Sequence, residues 1–66
     1  MKVKSLIKKL RNDPKIYIEF VDKKDFSSYG FYTKNDLIYN DKFNNCNVKD
    51  INIQYVNNKR LLVIYI

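Results

Sequence analysis

The last six residues, Leu61-Leu62-Val63-Ile64-Tyr65-Ile66, form an unbroken apolar run. As a β-strand they present apolar side chains to both faces of a sheet, because successive residues point to opposite sides. Such a strand belongs in the middle of a sheet, or needs a cover on its second face. Before it stand Val48 to Val56 and then Asn57-Asn58, a pair able to take the positive φ of a two-residue type I′ turn. The turn predicts a C-terminal hairpin with Ile53 opposite Leu62 and Ile51 opposite Ile64. Those four, with Tyr55, Arg60 and Ile66, share one face; Asp50, Asn52 and Gln54 share the other with Leu61, Val63 and Tyr65. Two arrangements satisfy the second face. Either the long loops fold over it, or Leu61, Val63 and Tyr65 stand exposed and point to a homodimer through the C-terminal strand or to a protein partner.

At 66 residues and 8.0 kDa the chain is one domain, residues 1–66. A domain of this size buries only about 60% of the surface its unfolded chain exposes, which leaves one small core and no large catalytic cleft. At the N-terminus Val3, Leu6, Ile7 and Leu10 recur at helical spacing among Lys2, Lys4, Lys8, Lys9 and Arg11. A short amphipathic helix results, ended by Asn12, Asp13 and Pro14 because proline cannot continue the hydrogen-bond ladder. A helix of about two turns is unstable alone and must dock.

From Lys15 the period becomes two. Ile16, Ile18 and Phe20 point one way, and Tyr17, Glu19 and Val21 the other. Asp22 to Ser28 is a polar connection carrying Phe26, with Asp22 and Asp25 placed to cap local turns. Tyr29 to Thr33, around the single Gly30, and Leu37 to Tyr39 are expected to be two short strands. Asn40 to Asn47 is rich in turn formers and is read as a flexible loop holding Phe43 and Cys46. The expected fold is α+β: a short N-terminal helix on a small antiparallel sheet of four to five strands, ending in the hairpin.

Lys and Arg number 13 against 7 acidic residues, a net charge of +6 that favours anionic partners. Eleven of the cations are Lys, and Ala, His and Trp are absent, a bias that also fits an AT-rich genome. Without His, the single Cys46 has no partner for a Cys/His nucleophile or a metal site, and it can form no internal disulfide. No glycine-rich phosphate loop occurs, and the one Glu and six Asp residues are scattered. The chain is therefore expected to be non-enzymatic, with no catalytic or metal residues and no cofactor. No apolar stretch has the length of a signal region or a membrane span, so a cytoplasmic protein without membrane attachment is expected.

The series Val3, Leu6-Ile7, Leu10, Pro14, Ile16, Ile18 resembles a diffuse group of small phage and prophage proteins that begin with a helix, a proline and a strand. The likeness spans the first third of the chain; here the helix is basic and the turn after the strand is Asp22-Lys23-Lys24-Asp25. The resemblance implies an α+β domain encoded by a phage or mobile element. It also implies a product that binds and modulates or inhibits a host protein, with CRISPR effectors among the targets. It assigns no site residue.

The residues themselves nominate Phe26, Tyr29, Tyr32 and Phe43 as partner contacts, since rings in or beside loops are hardest to bury. In that reading the domain blocks its partner sterically, steered by Lys to an acidic surface. The alternative is nucleic-acid binding, with Lys residues interleaved with sheet aromatics, and with Lys4, Lys8, Arg11, Lys23 and Lys24 as the anion contacts.

Overall fold

The computed structural model describes residues 1–11, 13 and 15–66. In chain order the elements are α1 (Val3–Lys9), β1 (Ile16–Val21), β2 (Ser28–Tyr32), α2 (Lys34–Tyr39), β3 (Asp50–Val56) and β4 (Lys59–Tyr65). The strands form one sheet in the order β2-β1-β4-β3. The fold is α+β as expected, but the sheet is mixed: β1–β2 and β3–β4 are antiparallel, whereas β1–β4 is parallel. The doubly apolar β4 takes an inner position, where both of its backbone edges are paired. Because β3 occupies the far edge, the hairpin returns β4 alongside β1 in the same direction.

The hairpin register is the one its turn dictates, with Ile53 opposite Leu62 and Ile51 opposite Ile64. Asn57 and Asn58 have φ of 51° and 64°, the left-handed pair of a type I′ turn. On β1 the expected core face is also observed, with Ile16, Ile18 and Phe20 buried. Opposite Phe20, β2 places both Tyr29 and Gly30, a bulge between the Glu19–Phe31 and Val21–Ser28 pairs. Gly30 sits there at φ 110°, which side chains strongly disfavour.

Helix α1 buries Val3 and Ile7. It ends at Lys9, where the Leu10 N–H donates to the Ile7 carbonyl at 3.2 Å; of the expected stop residues, Asn12 and Pro14 lie outside the described residues. At its other end the Val3 and Lys4 N–H groups donate to the carbonyls of Cys46 (3.0 Å) and Asn44 (3.2 Å), and Val48 N–H donates to the Met1 carbonyl (2.8 Å). The loop thus satisfies donors that a helix start leaves free, and is itself pinned by them. The segment read as flexible is instead a structural support, and its Phe43 is only 4% exposed.

Leu37 to Tyr39 belongs to a helix and not to a strand. Thr33 Oγ1 accepts from Asp36 N–H (3.2 Å) while Asp36 Oδ2 accepts from Thr33 N–H (2.9 Å), a reciprocal capping box. The cap starts α2 over the core face and buries Leu37. Val3, Ile7, Leu37 and Phe43 cover Ile18, Phe20, Leu62 and Ile64. Phe43 stacks on Phe20 with ring centroids 4.2 Å apart, and Tyr32 meets both rings.

Candidate binding surface

The two helices and the 41–48 loop all lie on one face of the sheet, and among the described residues no helix or strand covers the other. The registers place Phe31 of β2, Tyr17, Glu19 and Val21 of β1, Lys59, Leu61, Val63 and Tyr65 of β4, and Asn52, Gln54 and Val56 of β3 on this open face. Neither sequence-based arrangement for the apolar second face is realised in full. Val21 and Val63 are buried, flanked by Tyr17, Leu61 and Tyr65, which are half-exposed. The Asp22–Ser27 connection reaches only one end, where the exposed Phe26 ring meets Tyr65 edge-on at 6.2 Å.

At the opposite end a shallow depression of about 470 Å³ is lined by Tyr17, Phe31, Val56, Lys59 and Leu61. Phe31 is 62% exposed and Val56 48%. Lys59 Nζ lies 5.2 Å from the Tyr17 ring centre, a cation–π contact that leaves the ammonium at the edge of a largely apolar concavity, which Asn57 and Arg60 also border. Concave apolar surface with few polar groups is the usual character of a binding site. Sequence reasoning missed Phe31, Val56 and Lys59 as a set. They belong to three strands, and they come beside Tyr17 only through three pairings: β1–β2 for Phe31, the parallel β1–β4 for Lys59, and β3–β4 for Val56.

The four nominated rings fare unequally. Phe26 is exposed, at φ 60°. Tyr29 is 43% exposed and donates its hydroxyl to Asp22 Oδ2 at 2.7 Å. Tyr32 is half-buried and donates to the Tyr29 carbonyl at 3.1 Å. Phe43 is a core residue and is removed from the contact set, because the 44–46 carbonyls bound to α1 hold its loop against Phe20.

The nominated cations do not form one surface either. Lys4 and Lys8 border a depression of about 320 Å³ between α1 and α2, together with Lys34, whose ammonium donates to the Leu10 carbonyl. Arg11 and Lys24 are exposed. Lys23 lies 5.2 Å from the Tyr65 ring centre and pairs with Asp50 at 3.3 Å, both side chains in solvent. An exposed pair of this kind contributes little.

The acidic residues serve local turns. Asp22 Oδ1 accepts from Lys24 N–H (2.7 Å), and Asp25 Oδ1 accepts from the Ser27 N–H and hydroxyl (3.0 and 2.7 Å). The Tyr29 hydroxyl and the Lys24 amide hold the Asp22 carboxyl below its ordinary pKa, and the same bond pushes the Tyr29 phenol up. Among the described residues no three of His, Cys, Asp and Glu are grouped as a metal site requires, and no helix is long and apolar enough to cross a membrane.

The second feature is an edge. All seven residues of β3 are exposed, and among the described residues no strand pairs with its outer side. Its core-side row continues outward as Ile51, Ile53 and Tyr55, with Arg60 5.9 Å from the Tyr55 ring centre. The neighbouring β4, by contrast, has no free edge, so a dimer through the C-terminal strand would have only that strand's open face to use. Compared with family models, with curated proteins and with solved structures, the chain matches none.

Proposed function

We propose that this chain is a non-enzymatic binding protein that docks a protein partner on the open face of its sheet. The observation that carries the reading is the depression formed by Tyr17, Phe31, Val56 and Leu61, with Lys59 at its margin. An exposed Phe in an apolar concavity gains about 1.5–3 kcal/mol when covered, enough to anchor a small interface. Lys59, and a net charge of +6, steer an acidic partner toward it. Phe26, whose ring meets Tyr65, flanks the far end of the open face and extends the contact, whereas the Tyr29 ring lies toward Phe43 on the helix side of the sheet. The partner class, a host protein blocked sterically with a CRISPR effector among the candidates, rests on the phage-like helix-proline-strand segment. A cytoplasmic setting goes with that partner.

A second reading has one observation of its own. Lys59 over Tyr17 sets a cation beside a ring on an uncovered sheet, the elements that hold single-stranded nucleic acid. One experiment separates the two: affinity capture of the tagged protein from bacterial lysate, with and without nuclease, at low and high salt, alongside the Phe31→Ala variant. A single stoichiometric protein that survives nuclease and salt, and falls at least about tenfold (about 1.4 kcal/mol) with Phe31→Ala, is the expected result. Capture that disappears with nuclease or salt moves the assignment to nucleic acid. Capture indifferent to Phe31→Ala overturns the open-face site.

A further inference from the structure

The outer edge of β3 has a geometry suited to one partner in particular. In a two-residue hairpin the residues flanking the turn exchange both backbone bonds, so Val56 and Lys59 form such a pair. Counting back by twos, Gln54 and Asn52 bond to β4, while the N–H and C=O groups of Ile51, Ile53 and Tyr55 point to the free edge. Ile51 agrees with the parity: its N–H donates to the Asp50 side chain at 2.8 Å, a local bond that pairing with a second strand replaces. Beyond Asp50 the edge is closed, because Val48 N–H donates to the Met1 carbonyl. The open stretch is therefore short and centred on Ile53.

That stretch is complementary to itself. Antiparallel pairing about Ile53 sets Ile53 against Ile53 and Ile51 against Tyr55 of the other copy. All are residues whose backbone groups face outward, so every pair is of the hydrogen-bonded kind. The same register aligns Ile51, Ile53 and Tyr55 of both copies on the core side, and Asn52 with Gln54 on the open side. A shift by one residue would break both the bonding parity and the facial match. β3 also lacks the usual defences of an edge strand, having no Lys, Pro or bulge along Asp50–Val56. Charge agrees once contacts within each chain are exchanged: Asp50, the only charged residue of β3 and paired with Lys23 in its own chain, is set against Val56 of the other copy, whose neighbour on β4 is Lys59, a side chain that turns from Tyr17 to meet it. Two strand spacings, about 10 Å, separate Asp50 from that Lys59, within reach of a lysine side chain. The twofold axis makes the contact twice.

We propose that two copies of this chain pair antiparallel through β3 about a twofold axis at Ile53, fusing their four-stranded sheets into one. The resulting sheet carries two open-face depressions on the same side, which makes the assembly bivalent; the pairing itself does not depend on what those depressions bind. Strand addition of this length falls at the small end of specific interfaces, so a weak, reversible dimer is expected.

Sedimentation velocity of the full chain, from about 10 μM to about 1 mM, spans the range of such an interface. The expected result is a shift from monomer toward dimer as concentration rises. Ile53→Lys, on an exposed side chain, should leave far-UV circular dichroism and thermal unfolding intact and abolish the shift, since it brings two ammonium groups together on the axis. Asp50→Lys should weaken the dimer several-fold, and Asp50→Lys combined with Lys59→Asp should restore it. Within one chain these residues lie at opposite ends of the hairpin, about 20 Å apart, so restoration comes from between copies; Asp50→Lys combined with Lys8→Asp, which returns the same net charge away from β3, should fail to restore it. A wild type that stays monomeric throughout, or a dimer unaffected by Ile53→Lys, overturns the proposal, as does a charge exchange that fails to restore a dimer weakened by Asp50→Lys.

Discussion

β3 and β4 are strands of equal length, joined by a two-residue turn and paired along their whole span, yet their environments are opposite. β4 buries Leu62 and Ile64 toward the helices and Val63 toward the open face; β3 buries nothing. Ile64 and Ile51 stand directly opposite each other, one with no exposure and the other 41% exposed. The difference does not come from the residues, since both are isoleucines on the same side of the sheet. It comes from strand order: β4 has a neighbour on each side, and β3 has one.

The sharpest way to break this comparison is to truncate the opposed pair separately. Ile64→Ala is expected to cost about 3–4 kcal/mol in denaturant unfolding, most of the stability of a domain this small, whereas Ile51→Ala should cost less than about 1 kcal/mol. Similar losses at both positions would mean that β3 is covered in solution. The same contrast applies to the nominated rings. Phe43→Ala should destabilise by about 3 kcal/mol through the lost stack on Phe20, and Phe26→Ala by no more than about 0.5 kcal/mol. Equal effects would place Phe43 on the surface.

A smaller change tests the element that replaced an expected strand. Thr33→Ala removes half of the capping box and should cost about 1 kcal/mol. It should also raise amide exchange through Lys34–Tyr39 while leaving the β3–β4 ladder protected.

The smallest effects are electrostatic. Asp22 is held below its ordinary 3.8 by the Tyr29 hydroxyl and the Lys24 amide, and Asp50 by the Ile51 amide and Lys23. A folded pKa below the unfolded one means stability that is present above pH 3.8 and lost as pH falls through the lowered values. For Tyr29 the sign is reversed: its folded pKa is raised above 10.0, so its contribution is present below that pH and lost as pH rises through the raised value. Both Asp side chains are in solvent, so the acid-side loss is expected to be slight. Tyr29→Phe should move the Asp22 titration upward, as followed by carboxyl carbon chemical shifts, and leave Asp50 unchanged.

Much of the secondary structure is legible in the chain because its signals are local. Asn57-Asn58 sets the hairpin and its register, the alternation from Ile16 to Val21 sets the β1 faces, and the spacing of Val3 and Ile7 sets the buried side of α1. The Thr33-x-x-Asp36 cap was also present and outweighs the β-forming character of Leu37-Ile38-Tyr39. The candidate binding surface was much less legible. Phe26 and Tyr29 are exposed as their loop positions suggest, but Phe43 is core, and Phe31, Val56 and Lys59 become neighbours of Tyr17 only across three strand pairings.

By itself the amino-acid sequence determined an α+β chain with a doubly apolar C-terminal strand, a fixed hairpin register and a basic surface. Periodicity, turn chemistry and charge each act within a few residues. The tertiary structure alone decided that β1 and β4 run parallel, that the Asn-rich loop anchors α1, and that β3 is left as an edge. Those outcomes depend on how separate elements compete to cover one small core. Here two short helices suffice for the two inner strands, and the outer strand is left with its apolar side chains and its backbone groups in solvent.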